Sequence, residues 1–149
     1  MPVKLQSSSG GSVTLQTGST ASNYTHTVPS VDGTVMVSGN MPAFSAYQSS
    51  QQTLSSNTFT KIQLQTKEFD TNSCFDNTTN YRFTPTVAGY YQVTASISPA
   101  VSASHVEMAF YKNGSAVKRN DGPTGTVYAL QITSLIYMNG TTDYLEFYA

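Results

Sequence analysis

Tryptophan is absent from this 149-residue chain, cysteine occurs once, histidine twice, and charge is scarce. Each shortage excludes something. A single cysteine, Cys74, rules out an intrachain disulfide framework, and its default reading is a small buried apolar side chain. His26 and His105 lie far from it in sequence, which argues against a zinc site or a thiol nucleophile. Charged residues make up 10% of the chain, against roughly a quarter in an average soluble domain. With Lys+Arg at 7 and Asp+Glu at 8, the formal net charge is −1, so no positive field steers the chain to nucleic acid or an anionic membrane. No segment approaches the roughly 20 apolar residues that span a bilayer. The start, Met1 to Gln6, lacks the apolar run of a signal peptide. Nowhere do apolar residues keep the three-and-four spacing that a helix needs.

What fills the chain instead is hydroxyl, amide and aromatic side chains in period-two order. From Tyr81 to Val93, two alternating segments are separated by Pro85 and Gly89, a pattern that predicts strand, corner, strand with Gly89 at the sharp corner. Further strands are expected at Ala43–Tyr47, Thr58–Leu64, Tyr90–Ile97, Val106–Tyr111, Val127–Met138 and Asp143–Tyr148. Asn113-Gly114 is the strongest hairpin signal, because both central residues of such a turn take positive φ. A second Asn-Gly closes the 127–138 strand at Asn139-Gly140. The fold class expected is all-β, antiparallel.

Residues 1–40 read differently from residues 41–149. The leader is Ser-, Thr- and Gly-rich, with short β-like pieces at Ser12–Gln16, Asn23–Val28 and Gly33–Val37. Each offers only a thin apolar stripe, too little to bury alone, whereas three chains wound together would share a core. In such a stem three copies of His26, which shares a face with Tyr24 and Val28, would gather into a pH-sensitive or ion-binding ring if they converged, and would look outward if they did not. The leader resembles the shaft-to-head stretch of phage tail-fibre proteins, through Ser-Val-Thr-Leu, Asn-Tyr-Thr, Val-Pro and Gly-Thr-Val in that order.

The remainder resembles the globular head of the complement q subunit, a trimeric jelly roll related to tumour necrosis factor. The resemblance rests on Phe83-Thr84-Pro85, Gly89-Tyr90-Tyr91, Tyr111-Lys112-Asn113-Gly114 and Asp143-Tyr144-Leu145. It implies a homotrimeric jelly-roll head on a short β stem. It also implies that Tyr91, Phe110 and Phe147 serve as core or trimer-interface positions. In that family another strand follows the one matching Asp143–Tyr148, and here its place falls to a different strand order, a neighbouring subunit, or residues outside this chain.

Chemistry-bearing candidates are few. Glu68 and Asp70 stand two apart, so an extended backbone puts both carboxylates on one face, a geometry open to a glycosidase or a metal as well as to a solvated pair. Asp76 adds an oxygen, and calcium occurs in complement-head relatives, but no dense Asp/Asn loop is present. Ser104-His105 points to opposite faces of a strand and forms no nucleophile site. Receptor contact is expected on loops, at Val101–Ser104 or at Lys118, Arg119, Asn120 and Asp121, which hold the one adjacent basic pair. No cofactor is expected, with calcium left open as the one alternative. The functional expectation is a non-enzymatic structural virion component, made in the host cytoplasm and displayed on the particle surface. It would be a homotrimeric fibre or spike that joins other virion proteins through its leader and attaches to a host surface glycan or protein. The alternatives are a capsid-decorating spike or cement protein without receptor binding, and a glycan-degrading fibre tip.

Overall fold

The alternation written into the sequence becomes antiparallel strands throughout, and among the described residues no helix forms. The structure is a computed structural model that describes residues 3–16, 18–25, 27, 30, 32, 41–101, 103–123, 125, 127 and 129–149. The chain divides into two compact units, Met1–Thr34 and Val35–Ala149.

In the first unit, β1 (Val3–Gln6) and β2 (Ser12–Leu15) form an antiparallel ribbon in the register Val3↔Leu15, Leu5↔Val13. Directly opposed residues share a face, so all four apolar side chains lie on one side of the ribbon. Every residue of both strands is exposed. β2 matches the expected Ser12–Gln16 strand, and β1 was not foreseen. Of the Asn23–Val28 piece, the described residues Asn23, Tyr24, Thr25 and Thr27 form no strand. His26, Val28 and the Gly33–Val37 piece lie outside the described residues.

The second unit carries β3 (Ala43–Tyr47), β4 (Thr66–Thr71), β5 (Phe75–Asp76), β6 (Arg82–Phe83), β7 (Gly89–Ile97), β8 (Glu107–Lys112), β9 (Ser115–Asp121), β10 (Leu130–Met138) and β11 (Leu145–Tyr148). Five strands make one sheet in the order β5-β6-β11-β8-β9, while β7 pairs with β10 and β3 with β4 in separate two-stranded sheets. The β8–β9 hairpin turns on Asn113 at φ 51° and Gly114 at φ 80°, as the Asn-Gly signal demands. β7 and β10 align over their full nine residues, Gly89↔Met138 to Ile97↔Leu130. Their alternation sends Tyr91, Val93, Ala95 and Ile97 inward beside Ile132, Ile136 and Met138. These meet Phe75, Phe83, Met108, Phe110, Leu145 and Phe147 from the five-stranded sheet. Each large apolar side chain so buried stabilises by about 1.5–3 kcal/mol.

Two expectations need correcting. Thr58–Leu64 forms no named strand. Its alternation is real, since Ile62 is buried, but its pairing is confined to an isolated Lys61↔Tyr148 bridge with flanking bonds from Thr60 and Ile62 to Ala149 and Phe147. Gly89 is not a corner: it is the first residue of β7 and a Cβ placed on it would meet nothing. A glycine is demanded instead at Gly140, at φ 72°, where a Cβ would lie 2.3 Å from the Ala88 nitrogen, and at Gly122, where it would lie 2.6 Å from the Val106 carbonyl oxygen. For the last strand the structure supplies one of the options left open. It runs inside its sheet, with β8 on one side and β6, then Lys61, on the other. Of the options the sequence left open, a strand order that pairs β11 on both sides accounts for that strand.

Candidate functional site

The residues expected in a receptor-facing loop, Lys118, Arg119, Asn120 and Asp121, belong to strand β9. The reason is the hairpin turn. Once Asn113-Gly114 reverses the chain, β9 must run back along β8, pairing Lys118 with Phe110, Arg119 with Ala109, Asn120 with Met108 and Asp121 with Glu107. A register shift between Phe110 and Tyr111 absorbs Val117. β9 is an outer strand of its sheet, and charged side chains on an outer strand oppose unwanted pairing. Arg119 lies 3.6 Å from Glu107 and 4.9 Å from the Phe59 ring, Asp121 pairs with His105 at 3.0 Å, and the Asn120 amide donates to the Gln131 carbonyl at 2.6 Å. These contacts brace β9 and tie it to β10.

Tyr91, Phe110 and Phe147 all face the core. Phe110 and Phe147 are buried, with ring centroids 6.0 Å apart. Tyr91 is half-buried, meets Phe83 edge-on at 5.3 Å and donates its hydroxyl to the Val87 carbonyl. Burial, with Cys74 nearby, raises its phenol pKa.

The acidic candidates are already engaged, Glu68 across two strands and the others in or beside turns. A register shift in the β3–β4 pair leaves Glu68 without an opposed residue and breaks the period that would have aligned it with Asp70. Glu68 accepts the Ser45 hydroxyl, whereas Asp70 accepts from Lys67 and from the Cys74 and Phe75 backbone amides. Burial works against Asp70's charge, but the Lys67 bond and the backbone donors outweigh it and hold the carboxyl below its usual value. Asp76 spends both oxygens on Thr78, Thr79 and Asn80, and the Thr79 and Thr78 amides depress its pKa strongly. Asp143 is held low by Lys112 at 2.7 Å, then by Asn113 and the Asn139 amide. Among the described residues no cluster of three or more His, Cys, Asp or Glu is placed to hold a metal. Cys74 is buried, and burial followed by Asp70 pushes its thiol up to about 12, the reverse of an activated nucleophile.

Two features remain that suit binding. The first is the outward face of β7–β10. Tyr90 is 72% exposed, Leu135 61% and Tyr137 47%, and the two tyrosine rings meet edge-on at 5.3 Å. Neither strand contains a charged residue. The sequence signal was the Tyr90-Tyr91 pair, since one of two adjacent strand residues must face outward.

The second is a cavity of about 440 Å³ between β3 and β7. It is lined by every residue from Pro42 to Gln48 and every residue from Tyr91 to Ser98. Alternate residues would line it if it met only the strands' inner faces. Consecutive ones show that it meets their edges. Its floor is aromatic: Phe44 of β3 stacks on Phe75 at 4.4 Å and on Phe83 at 4.9 Å, and Tyr91 of β7 meets the same Phe83 ring. Comparison of the chain with protein-family models, with curated proteins and with solved structures finds no match.

Proposed function

We propose that this chain is a structural virion component, a homotrimeric bacteriophage fibre or spike whose residues from about 41 onward form a jelly-roll head for attachment to a host surface. The observation that carries the reading is the outward face of β7–β10, where Tyr90, Leu135 and Tyr137 stand exposed on a sheet with no charge. Exposed apolar surface of this kind marks an interface, and a symmetric partner is the simplest one for a chain carrying the same patch in every copy. The jelly-roll reading is supported by the way the chain changes sheets: β7 lies in one, β8 and β9 in the other, β10 returns to β7, and β11 crosses back beside β8. The leader would join the head to other virion proteins. Attachment through three heads on one stem gains avidity from weak single sites. The reading assigns no catalytic step, in keeping with carboxylates already engaged by hydrogen-bond donors.

Light scattering of the intact chain tests the assembly: a mass of three times 16.0 kDa is expected, and a single-chain mass contradicts it. Tyr90→Asp combined with Tyr137→Asp is expected to shift the mass downward by placing like charges on the proposed interface. Antibody labelling of purified particles tests the location. Label on fibres or spikes is expected, and its absence from particles defeats the assignment.

A further inference from the structure

We infer that the cavity between β3 and β7 accepts a β-strand from a second copy of this chain, namely residues Ser12–Gln16. The inference rests on the self-association proposed above and adds a site, a donor and a geometry to it.

Among the described residues β3 pairs with β4 alone and β7 with β10 alone, so each has one side of its backbone directed away from its partner. Those sides border one cavity. Unpaired strand edges invite another strand, and strand addition takes its affinity from main-chain bonds and its selectivity from alternate side chains entering pockets. Here the guest would bond on both flanks. The lining runs, seven residues on one side and eight on the other, accommodate an extended segment of about 20 Å at roughly 3.3 Å per residue. Phe75, Phe83 and Phe110 below require that every second guest side chain be apolar. Solvent above requires that the others be polar.

Ser12-Val13-Thr14-Leu15-Gln16 has that order: Val13 and Leu15 would enter, while Ser12, Thr14 and Gln16 would face out in line with the exposed Gln92, Thr94 and Ser96 of β7. The same segment lacks cover where it stands. Val13 is 63% exposed and Leu15 60%, and the Val3 and Leu5 side chains opposite them in the ribbon are exposed too. A two-stranded ribbon with no buried face is marginal in water. Moving β2 into the cavity trades one four-residue ladder for two ladders over an apolar floor. Donation from each copy to the next is a head-to-tail contact, and such contacts close into a ring when the rotation allows. Three copies form that ring in the assembly proposed above.

The test uses two tagged full-length chains, one carrying Val13→Cys and the other Ala95→Cys, refolded together and exposed to mild oxidation. Cys74 is buried and stays silent. A disulfide joining the two different chains, at least tenfold above that formed when Lys118→Cys replaces Ala95→Cys, is expected. Ile97→Cys substitutes as acceptor if Ala95→Cys does not fold. A threefold mass without that cross-link leaves the trimer standing and overturns the strand donation. A further chain carrying both Val13→Cys and Ala95→Cys that cross-links only within itself, at every dilution, overturns the second-copy donor. So does protection of the acceptor cysteine by an unrelated alternating peptide when no cross-link forms between copies. A single-chain mass with no cross-link overturns both the donation and the assembly beneath it.

Discussion

The five-stranded sheet and the strands facing it solve the same problem unequally. In the former, β11 is flanked on both sides and its first three residues are buried, and Met108, Ala109 and Phe110 of β8 are buried in a row. In the latter, β7 alternates between half-buried and exposed along its whole length and shares no ladder with β3. Alternating strands supply both layers, and the difference in cover lies in pairing. A strand with two neighbours loses its edges to solvent, and one with a single neighbour keeps an edge and an incompletely covered core face. The first layer is what holds the fold, and the second is where another molecule would be felt.

The comparison breaks most sharply at the crossing between the layers. Gly140→Val places a Cβ against the Ala88 backbone at a positive φ and is expected to cost on the order of 5 kcal/mol, enough to unfold a marginally stable domain. Gly89→Val, in open space at the start of β7, is expected to stay within about 0.5 kcal/mol. Urea denaturation measures both. A severe Gly89 variant would show that β7 is closed over by something else. Next, Phe110→Ala in the closed layer is expected to lose about 4 kcal/mol, as large-to-small core changes do, whereas Val93→Ala in the open layer loses about 1 kcal/mol. Equal losses would erase the distinction.

Acid acts away from the β7–β10 pair. Asp76 and Asp143 sit in or beside the five-stranded sheet, Asp70 sits in β4, and β7 and β10 carry no charge. All three carboxyls titrate below the usual 3.8 when folded, so the unfolded chain binds more protons as pH falls. Stability is therefore expected to be flat from about pH 5 to 8 and to decline below about pH 4. Asp76→Asn should flatten part of that decline, and thermal melting across pH reads it. The smallest effect belongs to the β9 edge, where Lys118→Ser changes stability by about 0.5 kcal/mol or less because the side chain is exposed.

How much of this was legible varies with the local physics. Asn113-Gly114 announced its hairpin because few residues tolerate two successive positive φ values. β7 and β10 announced themselves by long alternation, whereas Phe110 and Phe147 were singled out only through the resemblance to the complement head. β9 did not, because Lys118, Arg119, Asn120 and Asp121 read as loop when an outer strand needs polar residues on its exposed side. Thr66–Thr71 was missed for the same reason, having a single apolar residue, Phe69, that faces outward. Thr58–Leu64 erred the other way: it alternates well, yet β6 and that segment divide one side of β11 between them, and neither forms a long ladder. The cavity was invisible in the sequence, since it arises from where two distant strands end up relative to Phe83.

Amide hydrogen exchange of the assembled chain tests directly whether the open layer is completed by a guest strand. Protection over Ala43–Tyr47 and Gly89–Ile97 as deep as that over Glu107–Lys112, at alternate amides of both kinds, is the expected result. Protection limited to every second amide of β3 and β7, those bonded to β4 and β10, would contradict it.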